Sequence, residues 1–112
     1  MQTGESKNMI DNFKAVYRIL SSLEEQMDKL EVNVSKFDYE QLGITGERWI
    51  KYIEMMQDVG YIKGCSIYTN VNDEMISDTT DIKITLRGLE YLQENSIMQR
   101  IYKATKGIKD II

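Results

Sequence analysis

The sequence lacks histidine and proline altogether and contains one cysteine, Cys65. Without histidine, neither a Ser-His-Asp nor a Cys-His catalytic arrangement can form, and no histidine can bind a metal. A single cysteine supplies neither an intrachain disulfide nor the cysteine set of a structural zinc site. Cys65 lies in a strand-like run beside Ile67 and Tyr68, so we interpret it as a small buried hydrophobe. The composition therefore predicts a non-catalytic protein with no metal and no cofactor.

The chain also lacks long apolar runs and glycine-rich nucleotide motifs. Its longest apolar run is three residues, Ala15–Tyr17, whereas a membrane span needs roughly 20 and a signal peptide an apolar stretch of about 7–15. Neither GxxxxGK[ST] nor GxGxxG occurs. With 112 residues, one core is expected. A disulfide-free chain without a signal predicts a cytoplasmic protein with no membrane partner.

Acidic residues outnumber basic ones, 18 to 14, for a net charge of −4. Since nucleic-acid affinity is mainly electrostatic, an acidic chain is a poor generic binder of DNA. Residues 97–112 are the exception, because basic residues outnumber acidic ones there and Lys103, Lys106 and Lys109 follow at three-residue steps. Any contact with DNA is therefore expected to be local.

Apolar spacing predicts a long first helix over about residues 9–31. Alternating steps of three and four residues place one stripe on it, formed by Phe13, Val16, Leu20, Leu23, Met27 and Leu30. The opposite side is polar. Residues 1–8 are also polar, and we expect them to form a flexible N-terminus ahead of a single domain over residues 9–112.

Two shorter helices are expected next. Ser35 or Asp38 can cap a brief second helix that ends at Gly43. Thr45 is a good N-cap for a third helix. The apolar residues predicted to line the buried face of this third helix are Trp49, Tyr52, Ile53, Met55 and Met56.

The remainder alternates strand-like and helical patterns. Runs at 61–69 and 82–84 flank the polar, acidic residues 70–81, which predicts a hairpin with a long loop. Thr85 is expected to cap a fourth helix that ends near Asn95. Ser96 is expected to cap a fifth helix, whose apolar stripe is Ile97, Ile101, Ala104, Ile108 and Ile111.

This order of elements predicts an α+β, mainly α, fold. Two short helices joined at a glycine and followed by a hairpin are typical of a winged helix-turn-helix. The predicted fold has a long N-terminal helix, a two-stranded wing and two C-terminal helices. The third helix would be the recognition helix, and residues 61–84 the wing.

Three motifs stand out in the second half of the chain, and they are Gly60-Tyr61-Ile62, Thr85-x-x-Gly88-x-x-Tyr91-Leu92 and Tyr102-Lys103. They resemble motifs of the YjcQ family, whose members are small winged-helix-like proteins of Gram-positive bacteria and their phages. The resemblance covers most of residues 13–111, although the first helix and the acidic wing loop are longer here. It implies the winged-helix fold and, with it, a phage or prophage setting, but no particular activity.

The fold suggests DNA binding, while the charge favours another use. The residues expected to contact DNA are Thr45, Arg48 and Lys51 on the third helix, with Lys103, Lys106 and Lys109 holding the phosphate backbone. However, Glu47, Glu54 and Asp58 offset the charge of that helix, and the acidic wing would be repelled by phosphates. We therefore consider two functions, a DNA-binding or regulatory module and a protein-interaction module on the same scaffold.

The apolar stripes of the first and fifth helices also predict a homodimer. They exceed what one small core needs, and surplus apolar surface on a protein usually meets a partner. The alternative is that both stripes pack on the domain's own core. The residues predicted to form the dimer interface are Leu23, Met27, Leu30, Ile97, Ile101 and Ile108.

Overall fold

The computed structural model describes the backbone of residues 3–106, and the side chains of residues 12–96 and of Arg100. It is an α+β structure dominated by helices. The helices are α1 (Thr3–Glu25), α2 (Tyr39–Leu42), α3 (Gly46–Asp58) and α4 (Leu86–Lys106), with a 3-10 turn at Val34–Lys36. The strands are β1 (Ile62–Lys63), β2 (Ser66–Thr69), β3 (Met75–Asp78) and β4 (Lys83–Ile84). No helix in this described range is long and apolar enough to cross a membrane.

Helix α1 buries a face centred on Ala15, Ile19 and Leu23. The predicted stripe is right at Leu20 and Leu23, which are both buried. It is wrong at three positions, because Phe13, Met27 and Leu30 are 72%, 56% and 105% exposed. Met27 and Leu30 follow the end of the helix at Glu25, so the helical spacing no longer carries them onto the buried face.

Gln26 explains why the helix stops where it does. Its side chain is 3% exposed, and its Oε1 accepts the Asn33 N–H at 2.7 Å. Its Nε2 donates to the Asn33 carbonyl at 3.3 Å. The buried amide thus satisfies both backbone groups of one residue, which stabilises a turn over 26–33 in place of further helix.

The caps predicted for α2 and α3 are confirmed. Asp38 Oδ1 accepts the Gln41 N–H at 3.1 Å, and Thr45 Oγ1 accepts the Arg48 N–H at 3.1 Å. Gly43 joins the two helices in a left-handed conformation, with φ 71°. The tight turn brings α2 against α3.

The buried face of α3 is confirmed at four of its predicted residues, namely Trp49, Tyr52, Ile53 and Met56. Met55 is the exception, at 53% exposed, because it lies about 100° around the helix from its buried neighbour Met56. Trp49 is 5% exposed, and its Nε1 donates to the Phe37 carbonyl at 2.9 Å. This bond ties α3 to the segment that precedes α2.

The β region contains two small antiparallel sheets where one two-stranded wing was predicted. β1 pairs with β4, and β2 pairs with β3. The predicted loop 70–81 is wrong, since Met75–Asp78 within it forms β3 and only 70–74 is the connection. Gly64 separates β1 from β2, with φ 89° and a backbone so close to the Asp81 carbonyl that a Cβ would overlap it.

Helix α4 runs unbroken from Leu86 to Lys106, so the two predicted C-terminal helices are one. Ser96 does not cap a new helix, because its Oγ donates back to the Gln93 carbonyl at 2.9 Å within the same helix. Thr85 is the cap, as predicted, and its Oγ1 accepts the Gly88 N–H at 3.1 Å. At Gly88, a Cβ would overlap the Tyr61 carbonyl oxygen, so glycine lets α4 pack closely on the strand region.

Candidate functional site

Helix α1 forms one wall of each of two grooves. The first, the α1–α3 groove, has a cavity volume of about 630 Å³ and ends at Tyr61 and Tyr91. The rings of these two tyrosines pack with their centroids 4.8 Å apart. The residues lining the groove are Asn12, Phe13, Val16, Glu47, Arg48, Lys51, Tyr52, Met55, Met56, Val59, Tyr61 and Tyr91.

The mouth of the α1–α3 groove is apolar and exposed to solvent. Phe13 is 72% exposed, Met55 53% and Val59 52%. Val16 and Met56 lie among the other lining residues. Single exposed hydrophobic residues are ordinary on a protein surface, but several around one concave surface indicate a site of contact with another molecule.

Arg48 lies at the rim of this groove, where hydrogen bonds to residues of α3 and of α1 hold its side chain. Its Nε donates to the Tyr52 hydroxyl at 3.0 Å, and one terminal nitrogen donates to Asn12 Oδ1 at 2.8 Å. The Tyr52 hydroxyl also donates to Asn12 Oδ1. The guanidinium lies 5.8 Å from the centre of the Tyr52 ring. To reach a DNA base, Arg48 must give up these contacts between α1 and α3.

The second groove, the α1–α2 groove, lies on the opposite side of α1 and has a cavity volume of about 880 Å³. It is polar and rich in cations. Its lining residues are Lys14, Tyr17, Arg18, Ser21, Ser22, Glu25, Ser35, Lys36 and Gln41. A smaller cavity that shares Lys14 and Arg18 continues to Leu42 and Ile44, just before α3. Sequence reasoning missed this cluster, because Lys36 joins Arg18 only through the folded turn over 26–33.

The structure brings three of the predicted DNA contacts together on the exposed start of α3. They are Thr45, Arg48 and Lys51. Thr45 already accepts a backbone hydrogen bond as the N-cap. Lys103 and Lys106 belong to α4, but their side chains lie outside the described residues, as does the whole of Lys109.

The prediction that Leu23 lies in a dimer interface is wrong. Leu23 is 2% exposed and packs in the chain's own core, so it is not available to a partner. Met27 and Leu30 are exposed in the turn after α1. Ile97 and Ile101 lie on α4 with side chains outside the described residues, and Ile108 falls outside them entirely.

Cys65 is half-buried between β1 and β2 and lines neither groove. Desolvation by burial, together with the nearby negative charge of Asp78, raises the pKa of its thiol from 9.0 to about 11. Its backbone is held by Gln57, whose Oε1 accepts the Cys65 N–H and whose Nε2 donates to the Cys65 carbonyl, both at 2.9 Å. Near neutral pH the side chain is therefore a thiol, which is a poor nucleophile.

Comparison with known proteins gives one match. The family model described as YjcQ protein matches residues 17–111, which include the C-terminal part of α1 and all the elements that follow it. No curated protein and no solved structure matches the chain.

Proposed function

The chain belongs to the YjcQ family, and we propose that it is a non-catalytic protein-interaction module on a winged-helix scaffold. In this proposal the α1–α3 groove pairs two copies of the chain. The winged-helix assignment is supported by the order of elements, with α2 and α3 joined at a left-handed Gly43 and followed by paired strands. The function is supported by the chemistry of the groove.

The observation that carries the proposal is the apolar mouth of the groove on the exposed side of α3. A helix that reads DNA needs hydrogen-bond donors and acceptors on that side. Here Met55 lies in the C-terminal half of α3, Val59 directly follows its end, and Phe13 of α1 lines the same groove. Apolar and aromatic side chains around a central cavity are typical of the core of a protein–protein interface.

A second copy of the chain is the occupant that fits this surface. Two-fold interfaces are self-complementary, so one surface must supply both a projecting group and a recess. Phe13 projects into solvent beside a cavity large enough to receive the same ring from another copy. Glu47 and Lys51, one helical turn apart on the rim, also provide both charge signs for antiparallel pairing of two α3 helices.

Sedimentation equilibrium at micromolar concentrations tests this proposal. We expect the wild-type chain to approach twice its 13.1 kDa mass, and Phe13→Asp to be monomeric, because the substitution places a charge in the apolar interface. Val71→Asp is the matched control, since Val71 is 97% exposed in the hairpin connection and lines neither groove. A monomeric wild type would contradict the pairing of two copies, and a dimeric Phe13→Asp would exclude this groove from the interface.

DNA binding, with a regulatory role in a phage or prophage, is the second candidate. It is favoured by Thr45, Arg48 and Lys51 at the exposed start of α3. Titration of random duplex DNA at about 50 mM salt tests it, because electrostatic binding is strongest at low salt. Binding that Lys51→Glu abolishes would favour this candidate over the protein-interaction module, and absence of binding would count against it.

A further inference from the structure

The α1–α2 groove concentrates positive charge in an acidic protein. The chain has a net charge of −4, yet Lys14, Arg18 and Lys36 line this groove against one carboxylate, Glu25. Lys14 and Arg18 lie one helical turn apart on α1, so they share a face. The lining residues therefore carry more positive than negative charge, which is the reverse of the balance in the whole chain.

Neutral hydrogen-bonding groups surround these cations. Tyr17, Ser21 and Ser22 on α1 contribute hydroxyls, and Gln41 contributes a side-chain amide. Hydroxyls and amide N–H groups donate hydrogen bonds to anionic oxygens. The groove thus combines positive charge with several hydrogen-bond donors on a concave surface, a combination that favours anionic ligands.

The third cation is positioned by a chain of hydrogen bonds that begins in the core. Buried Gln26 holds the backbone of Asn33. The Asn33 side chain then accepts the Ser35 N–H at 3.1 Å and the Ser35 hydroxyl at 2.6 Å. These bonds fix the 3-10 turn that carries Ser35 and Lys36 opposite α1. This wall of the groove is therefore preorganised.

We propose that the α1–α2 groove binds phosphate groups. Arg18 offers a planar guanidinium that can donate two parallel hydrogen bonds to phosphate oxygens, and Lys36 adds a point charge from the opposite wall. Glu25 marks the end where an anion is disfavoured. The site is independent of pairing through the α1–α3 groove, since the two grooves use different sides of α1.

Calorimetric titration of pyrophosphate at low salt into the full chain tests the proposal. We expect wild-type binding to weaken by about tenfold or more in Arg18→Gln/Lys36→Gln, because hydrogen bonds to charged groups are among the stronger polar contacts. Lys63→Gln/Lys83→Gln removes the same charge from exposed positions on β1 and β4, and should change affinity by about twofold or less. No binding by wild type, or equal losses in both variants, would overturn the site.

Competition with a duplex oligonucleotide identifies the source of the phosphate. Duplex that displaces pyrophosphate and loses affinity in Arg18→Gln/Lys36→Gln supports a site for the nucleic-acid backbone. Pyrophosphate binding that duplex does not disturb supports a site for a compact phosphorylated molecule. Duplex that binds wild type and Arg18→Gln/Lys36→Gln equally, with no pyrophosphate binding, would contradict the proposal.

Discussion

The two grooves beside α1 differ in chemistry although they share a helix. Phe13 and Val16 face the apolar α1–α3 groove, while Lys14, Tyr17 and Arg18 face the polar α1–α2 groove. Adjacent residues of a helix are rotated by about 100°, so neighbours in the sequence reach opposite surfaces. One helix can therefore separate a surface suited to protein contact from a surface suited to anions, with Ala15 and Ile19 buried between them.

Trp49→Ala should produce the largest effect and should damage both grooves together. Trp49 is buried, and its indole N–H bonds the Phe37 carbonyl, so it joins α3 to the segment that carries Lys36. The expected loss of unfolding free energy is about 3–5 kcal/mol, measured by urea denaturation. Asp58→Ala, at an exposed position of the same helix that lines neither groove, is the control and should change it by less than about 1 kcal/mol. Similar values for both variants would contradict the assigned face of α3.

Gly88→Ala should disturb the α1–α3 groove and leave the α1–α2 groove unchanged. The added Cβ would overlap the Tyr61 carbonyl and lie 2.7 Å from Ile84 Cγ1, so α4 must move away from the tyrosine end of the groove. We expect thermal denaturation to report a loss of about 1–3 kcal/mol. Gly46→Ala meets nothing within 4 Å and should be neutral or stabilising by about 0.4–1 kcal/mol. An unchanged stability in Gly88→Ala would show that this close approach is unimportant.

Gln26→Ala should weaken ligand binding in the α1–α2 groove and leave the α1–α3 groove unchanged. Loss of both bonds to Asn33 should lower the unfolding free energy by about 1–3 kcal/mol and weaken pyrophosphate binding, since the turn bearing Lys36 is no longer held. Gln57→Ala is a matched control, because Gln57 makes the same pair of bonds to the backbone of Cys65. Its stability should fall similarly with pyrophosphate binding intact. Equal effects of the two variants on pyrophosphate binding would contradict the role of Gln26.

The smallest expected effect is a loss of stability at alkaline pH caused by ionisation of Cys65, which lines neither groove. Folding raises the pKa of the Cys65 thiol to about 11, from the ordinary value of 9.0 that applies when the thiol is exposed in the unfolded chain. The folded state therefore holds this proton more tightly, and the resulting stability, present below about pH 9, is lost as pH rises through about 11. Cys65→Ser should reduce the decline in stability measured between these pH values. An identical decline in both proteins would show that the thiol does not contribute.

Local chemistry made much of the fold predictable. Asp38, Thr45 and Thr85 were recognisable as caps because their side chains bond backbone groups only a few residues away. Ser96 has the same chemistry, but its hydroxyl bonds back into a continuous α4. The end of α1 was not predictable, since Gln26 acts through a folded turn that residue spacing does not reveal.

The candidate sites were less predictable than the fold. Residue spacing placed Phe13 and Leu23 on one stripe, whereas the structure buries Leu23 and leaves Phe13 at the mouth of a groove. The α1–α2 groove combines Arg18 and Lys36, which lie on separate elements and come together only through tertiary packing. Periodicity describes one helix at a time, so it cannot show a surface built from two.

Photo-cross-linking from position 13 shows whether the α1–α3 groove pairs two copies of the chain. p-Benzoylphenylalanine replaces Phe13 in a mixture of isotopically light and heavy chains, and mass spectrometry identifies the linked peptides. We expect links between light and heavy chains that map to α3 or to Tyr61, because the ring of one copy enters the α1–α3 groove of the other. Links confined to single chains, or links between chains that map to the β2–β3 hairpin, would contradict pairing through this groove.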